Sequence, residues 1–539
     1  MDMRKGAKIA VGGVAVAMVG AAGLGAYNLV DAVADGAGTK NEAAPVRTGP
    51  PTGDEVDKAA HDFLAAWAAG DTEHAATLTD NASAASAALT GYRESAHVEW
   101  VTLEPGTATG AKVPFTVSAE ITYGKQHSTW KYASSLDVVR GRTSGKALVD
   151  WQPTVVHPEL RAGGTLRTDA VRAPEVTALD RDGAVLDAKD HPSLAPLLPQ
   201  LRKRFGEKAG GEPAVEVRAE GPDGGVGART LHVVSKGKPG TLHTTLDADA
   251  QRAAEAAVAK RADASVVAVK PSTGEILAVA NSKKTEFNPA LQGQTAPGST
   301  MKVVTAAVLL EQGKAAPGKP LPCPKYATYG MRFHNVEESE NPKATFAQDF
   351  AASCNTAFIS LADDIPDGAL AAEARDVFGL GLEWKTGIGS FDGSVPADAG
   401  AGKAAAMIGQ GRVQMSPLNM ASVAATVRTG SFHQPYLVAP SVDDRELARA
   451  ARPLPAPVAR DLRSMMRLTA LSGTGARAMA GLGSDVGAKT GSAEVDNQPQ
   501  PNGWFTAYRG DVAAAAVVPQ GGHGGDSAGP IVAAVLRAG

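Results

Sequence analysis

Apolar residues recur at spacings of three and four from Asp54 onward, at Val56, Ala59, Ala60, Phe63, Leu64 and Trp67, which is the period of a helix with one buried face. A second Ala-rich stretch carries the same period to about Tyr92. The period then drops to two. HVEWVTL, VPFTVSAEITY, STWKYASSLDVV and ALVDWQPTVV alternate apolar with polar positions, carry β-branched or aromatic residues, and are separated by Gly or Pro. Helices followed by a curved antiparallel sheet predict a compact α+β domain over 53–155. Residues 156–243 hold short strand-like pieces, VTALDRDGAVLD and RTLHVVS, among Gly, Pro and charge, and read as a β-rich pedestal or dimerisation-like linker domain. From Leu246 long Ala-rich amphipathic stretches begin with DADAQRAAEAAVAKRA, where Asp247 or Asp249 caps the helix. SVVAVKPSTGEILAVAN predicts two strands about the turn Pro271-Ser272-Thr273-Gly274. Many helices follow, and strand-like segments return only after about Gly487, so the domain 244–539 assembles its sheet from both of its ends.

Composition narrows the class. At 539 residues the chain exceeds the roughly 250–300 residues at which a single core stops growing, so several domains are required. A 43% hydrophobic content with 20% charge excludes a disordered or collagen-like chain despite 60 Gly and 34 Pro. Lys plus Arg is 53 against 57 Asp plus Glu, and no basic run occurs beyond the first residues, which excludes nucleic acid as a partner. Two cysteines cannot build a disulfide scaffold or a four-ligand zinc site, but they suffice for one bridge in an exported protein.

The N-terminus predicts export. Arg4, Lys5 and Lys8 precede the uncharged stretch Ile9–Val30, whose length as a helix matches a hydrocarbon layer about 30 Å thick. That length favours a membrane anchor over a cleavable signal peptide, for which Ala32-Val33-Ala34 is the candidate cleavage site. Residues 1–30 then form a cytoplasmic stub and transmembrane signal anchor, and 31–52, with Pro45, Pro50 and Pro51, a polar linker. The expected location is the cell membrane, crossed once, with everything from Asp31 outside the cytoplasm.

Three short motifs carry the chemistry. In APGSTMKVVTAAVLLEQG, Ser299 and Lys302 stand three apart at the start of an apolar helix, on one face, where an unprotonated amine can take the hydroxyl proton as the serine attacks a carbonyl. Ser128 to Lys131 and Ser235 to Lys238 repeat the spacing in strand-like stretches, where the two side chains point to opposite faces. Ser353-Cys354-Asn355, between two helical stretches, offers a hydroxyl for proton relay and an amide-binding carboxamide. Ser339-Glu340-Asn341 has the same form without flanking apolar helices and is set aside. Lys489-Thr490-Gly491-Ser492 reads as the edge of a β-hairpin whose Gly admits a substrate backbone and whose Lys and hydroxyls hold an anionic group. Lys385-Thr386-Gly387 lies in a Gly-rich loop with no strand edge and is also set aside.

Each triplet alone is ordinary; in this order the three form the SxxK, SxN, KTG set of penicillin-binding proteins and class A β-lactamases. With TTLDADAQRAAEAAV, VVAVKPSTGEILAVAN, FNPALQGQTAPGSTMK, GQGRVQMSPLNMASVAATVRTG, KTGSAEV and GWFTAY, the region 244–539 resembles the transpeptidase domain of class B penicillin-binding proteins. Residues 53–155 resemble the NTF2-like domain that precedes some of these enzymes, a layout shared with the low-affinity, antibiotic-resistance-associated subgroup. The departures are a short pedestal and a cysteine in the middle of the second motif.

The resemblance implies a multidomain α+β protein: NTF2-like domain, pedestal, and a transpeptidase domain whose antiparallel sheet is flanked by helices and joined by an all-helical lobe. It implies a peptidoglycan D,D-transpeptidase that cross-links stem peptides, is acylated by β-lactams, and needs no metal or cofactor. Ser299 would attack the penultimate D-Ala carbonyl, Lys302 would be its base, Ser353 would relay a proton, and Asn355 would hold the substrate amide. Lys489 would orient Ser353, Thr490 and Ser492 would bind the terminal carboxylate beside Gly491, and the Ser299 and Ser492 N–H groups would form the oxyanion hole. Cys323 and Cys354 admit a disulfide or two buried thiols, and export favours the bridge. The partners implied are peptidoglycan stem peptides, β-lactams and the membrane, with divisome or elongation proteins as further candidates.

Rival readings share these parts. A class A β-lactamase needs a Glu with an Asn three residues later, and between Asn355 and Lys489 the only Asn is Asn419, preceded by Ser416. A D,D-carboxypeptidase differs only in using water as acceptor, and a non-catalytic divisome scaffold would have no need of the intact motifs.

Overall fold

The computed structural model describes residues 47–222, 228–283 and 285–539. The anchor expected at Ile9–Val30 and the linker up to residue 46 lie outside the described residues; among those described, no helix is long and apolar enough to cross a membrane. Two compact units carry the chain: one of the described residues up to Ser86 with Pro105–Phe115 and Ser135–Trp151, the other of Ala87–Glu104, Thr116–Ser134 and Gln152–Gly539.

The N-terminal elements follow the period of the sequence. Helix α1 (Gly53–Ala68) starts at Thr52, whose hydroxyl accepts from Glu55 N–H while the Glu55 carboxylate accepts from Thr52 N–H, a reciprocal cap. The single Ala-rich stretch expected up to Tyr92 is two helices, α2 (Thr72–Thr77) and α3 (Ala82–Glu94). Strands β1 (Val98–Pro105), β2 (Lys112–Tyr123), β3 (Gln126–Arg140) and β4 (Ala147–Asp150) form a sheet in sequence order. ALVDWQPTVV stays extended only to Asp150, because Pro153 opens a 3-10 turn. In the first unit Phe63, Trp67, Phe115 and Trp151 pack ring on ring at centroid distances of 6.0–6.3 Å. In the second, Trp130 stacks between His157 and His232.

Beyond the sheet, β5 (Thr165–Ala170), β8 (Val215–Glu220) and β9 (Arg229–Ser235) form an antiparallel sheet in the order β5-β8-β9. A second small sheet joins β6 (Thr177–Leu179), β7 (Val185–Leu186) and β10 (Thr241–His243), with β10 parallel to β6. Helix α4 (Leu198–Phe205), which the sequence reading did not anticipate, buries Leu198, Leu201 and Phe205. These residues share one apolar core with the domain that follows.

That domain is built on five antiparallel strands in the order β12-β11-β17-β16-β15. Strands β11 (Ser265–Val269) and β12 (Ile276–Asn281) make the expected hairpin, while β15 (Val486–Ala493), β16 (Asn502–Arg509) and β17 (Val512–Val518) come from the other end of the domain. Both faces are covered, so the strands alternate between two cores. Val266, Ala268, Ala514 and Ala516 face a core shared with α5 (Ala248–Val258) and the last helix, α16 (Gly529–Ala538). Val267, Val269, Ala513, Ala515 and Val517 face the core of α7 (Lys302–Glu311) and α12 (Pro417–Thr429). Asp247 caps α5 through its own carboxylate. The helical lobe comprises α6 (Pro289–Gln292), α8 (Phe346–Ala352), α9 (Asn355–Ile359), α10 (Ala369–Asp376), α11 (Gly400–Met407) and α13 (Ala456–Leu471), with α14 (Ala476–Met479) and α15 (Gly524–Ser527) beside the sheet. It is not all helix: Tyr326–Tyr329 (β13) and Met331–His334 (β14) pair as a hairpin that YATYGMRFH already encodes by alternation about Gly330.

Candidate active site

Ser299 lies in a 3-10 turn, Gly298–Met301, that runs directly into α7, rather than in the helix itself. Every residue of α7 from Lys302 to Leu309 is buried, so the turn is fixed by a deeply packed helix. Gly298 sits at φ +53°, and a Cβ there would lie 2.6 Å from the Ser492 carbonyl oxygen; at Gly491 a Cβ would lie 2.8 Å from the Pro297 oxygen. These glycines let the Ser299 turn and the edge strand β15 meet backbone to backbone.

Lys302 is fully buried, and its Nζ has three neighbours: Ser299 Oγ at 2.9 Å, the Ser353 carbonyl oxygen at 2.7 Å and Asn355 Oδ1 at 2.7 Å. Burial drives its pKa well below the usual lysine value, and the charge of Lys489 pushes the same way against the opposing pull of Asp349. A neutral amine has two N–H donors and one lone pair. The two carbonyl-type oxygens can only accept, so they take both N–H groups and leave the lone pair for the Ser299 hydroxyl proton.

Ser353 is the C-cap of α8 in the left-handed region, φ 64°. That backbone turns its carbonyl to Lys302 while its Oγ accepts from Lys489 Nζ at 2.8 Å. Lys489, on β15, is also fully buried, also donates to the Thr490 carbonyl at 2.9 Å, and is pushed down to about 7 by burial. The sequence reading that gave Lys489 a share in holding an anionic group is corrected here: its Nζ faces Ser353, and it does not line the cavity. Asp349, one turn before Ser353, is buried with Oδ2 unpartnered and is pushed up to about 7 by burial.

Ser299, Ser353, Thr490, Gly491 and Ser492 line one cavity of about 330 Å³. The structure thus brings together Ser299 from the 3-10 turn, Lys302 from α7, Ser353 from the end of α8, Asn355 from the start of α9, and Lys489 and the hydroxyls of β15. Cys323 and Cys354 form a disulfide, with Cα atoms 6.2 Å apart, between the loop before β13 and the residue separating Ser353 from Asn355. The set-aside Ser339 also lines the cavity, whereas Lys385-Thr386-Gly387 does not.

Two profiles match the chain, one described as the penicillin binding protein transpeptidase domain over residues 264–537, the other as an NTF2-like N-terminal transpeptidase domain over 55–164. The chain belongs to the class B penicillin-binding proteins. It is 30% identical over 377 residues to the peptidoglycan D,D-transpeptidase PbpA of Mycolicibacterium smegmatis, an alignment covering 56% of this chain and 73% of the relative. Its fold is similar to penicillin binding protein 3 of Mycobacterium tuberculosis complexed with aztreonam, at TM-score 0.52 and 22% identity over 68% of this chain and 96% of that one. It is also similar to a chain of a peptidoglycan synthase complex that coordinates polymerization and crosslinking, at TM-score 0.57 and 22% identity over 72% and 94%.

In this penicillin-binding protein several cavity residues escaped the motif reading. Asn335 is buried and acts as a hub: its Oδ1 accepts from Asn355 N–H at 2.8 Å and Thr356 N–H at 3.1 Å, and its Nδ2 donates to the carbonyls of Pro324 and Ser339, both at 2.8 Å. Thr474, with Oγ1 2.6 Å from Thr490 Oγ1, lines the cavity with Arg477 and His523. Glu337 and His523 approach to 3.5 Å from two different loops of its rim. The available signals were faint: an Asn closing the β13–β14 alternation, a Gly-Thr-Gly, and a His among glycines.

Proposed function

We propose that this protein cross-links peptidoglycan stem peptides through an acyl-enzyme on Ser299, formed at D-Ala-D-Ala, and that β-lactams acylate the same hydroxyl. The observation that carries the reading is the buried Lys302 amine, whose two N–H groups are committed to Ser353 and Asn355 and whose lone pair meets Ser299 Oγ. Ser299 Oγ attacks the penultimate D-Ala carbonyl carbon as its proton passes to Lys302 Nζ. The C–N bond to the terminal D-Ala then breaks, its nitrogen taking a proton through Ser353, and an ester remains on Ser299. An amine of a second stem peptide attacks that ester, forms the new amide and returns the proton to Ser299. The Ser299 and Ser492 N–H groups hold the oxyanion, a contribution of roughly 3–4 kcal/mol per donor. Thr490 and Ser492 bind the terminal carboxylate.

The likeness to a D,D-transpeptidase and to a protein solved with aztreonam supports this reading. The length and flanking charge of Ile9–Val30 support a single membrane anchor with the catalytic domain outside the cytoplasm, and the likeness to a synthase-complex chain supports partners in wall assembly. The test is labelling with a fluorescent penicillin beside Ser299→Ala, followed by cross-linking of a pentapeptide donor and a stem-peptide amine. Label lasting hours on the wild type alone, with dimer formed, is the expected result. Rapid loss of label with hydrolysed drug indicates a β-lactamase, and release of D-Ala without dimer a carboxypeptidase.

A further inference from the structure

A carboxylate entering a cleft loses water and needs a counter-charge or several donors in exchange. Neither motif lysine supplies one. Lys302 and Lys489 are fully buried, their Nζ atoms are committed to neighbouring oxygens, and burial lowers the share of each that is charged. Among the described residues lining the cavity, Arg477 is the only Lys or Arg. Its side chain is 90% exposed, and Nη1 stands 3.2 Å from Asp526 Oδ1, itself a lining group. Three residues earlier Thr474 meets Thr490 hydroxyl to hydroxyl.

We propose that Arg477 is the specificity-determining cation that receives the terminal carboxylate of the donor peptide. Thr474 gives its one O–H to the Ala351 carbonyl at 3.2 Å, so Thr490 donates to Thr474 in the free cleft and turns its O–H to the same carboxylate when the donor binds. Asp526 holds Arg477 over the cleft in the absence of substrate and competes with the incoming anion for the guanidinium. The assignment rests on the acyl-transfer reading above and names the group that reads the donor's charge.

The test compares two D-Ala thioester donors that differ only in a terminal carboxylate or carboxamide, measuring acylation of the full chain. Wild type is expected to prefer the carboxylate. Arg477→Gln should shrink that preference about 10-fold or more, as for loss of a charge-assisted hydrogen bond, with the carboxamide rate unchanged. Arg477→Lys should restore part of it, and Asp526→Asn should raise the rate with the carboxylate alone. A preference untouched by Arg477→Gln, or one that His523→Gln abolishes instead, overturns the assignment. Acylation that persists unchanged in Ser299→Ala would sink the acyl-transfer reading instead. Binding of the matching peptides to the Ser299→Ala chain, read by NMR, isolates the charge recognition without turnover: equal carboxylate preference with and without Arg477→Gln in that background overturns it independently.

Discussion

Lys489 and Ser353 stand 136 residues apart in the chain, and Nζ meets Oγ at 2.8 Å. The contact joins the sheet edge to the α8–α9 turn, and it holds the hydroxyl proposed as the proton relay at one orientation. Lys489→Ala is expected to lower the acylation rate by about 10²–10⁴-fold, the span of a lost acid–base group. Lys489→Arg should not rescue it, because the site is fully buried and a guanidinium is larger than the ammonium it would replace. Stopped-flow acylation of both variants checks this.

Acylation should rise with pH. Lys302 acts as a base only when unprotonated, and its pKa is lowered by burial and by Lys489, so the ascending limb belongs well below the usual lysine range. Asp349 is the group pulling the other way, so Asp349→Asn should move that limb to lower pH. The lysine also has a stability sign. Its folded pKa is depressed, so the unfolded chain binds the extra proton and stability rises with pH between the folded value and about 10.5. Asp349 has the opposite sign: raised to about 7, it favours the fold below its unfolded value near 3.8 and loses that contribution as pH climbs toward 7. Rate–pH profiles of wild type and Asp349→Asn decide the first point, and denaturant midpoints against pH the second.

Gly409→Ala should disable the nucleophile without touching it. Gly409 sits at φ +76°, its carbonyl accepts from Gly298 N–H at 2.9 Å, and a Cβ on it would lie 1.9 Å from the Gly298 oxygen. The backbone next to Ser299 must move. A loss of about 2–4 kcal/mol, from left-handed strain plus overpacking, and loss of penicillin labelling are expected. A variant that keeps wild-type labelling would show that the turn is not held from this side.

Replacing both Cys323 and Cys354 by Ser opens a loop whose ends are 31 residues apart. The chain-entropy account puts the loss at about 3–4 kcal/mol. Because Cys354 lies between Ser353 and Asn355, the acylation rate should fall along with the melting temperature. Thermal melts and labelling of the double variant measure both, and a melting change with unaltered acylation would mean that the Asn335 hub alone fixes the turn.

Much of this was legible in the sequence, and physical range explains the difference. SxxK, SxN and KTG are local patterns, so Ser299, Lys302, Ser353, Asn355 and Lys489 could be named before any fold was known. The period-two stretches gave β1 to β3 and the β11–β12 hairpin because alternation encodes a strand by itself. Helix α4 was hidden by its charged, Pro-containing context, and ALVDWQPTVV ended early at its proline. Asn335, Thr474 and Arg477 carry no motif; each acquires its place only through packing between distant segments. The left-handed backbone of Ser353 was equally silent, since nothing about a serine announces positive φ.

The strand order β12-β11-β17-β16-β15 also bears on how the chain is made. As the chain is delivered from its N-terminus, β11 finds β12 at once, but its other edge waits some 240 residues for β17. Ser299 is made early, and the strand that closes its cleft arrives nearly two hundred residues later. An unfinished chain therefore holds Ser299 and Ser353 without Lys489 to orient the pair, without the hydroxyls of Thr490 and Ser492, and beside an unpaired sheet edge. On the proposed acyl-transfer reading, a chain that ends before β15 would be an inert, sticky fragment for proteases to clear, not a loose acyltransferase.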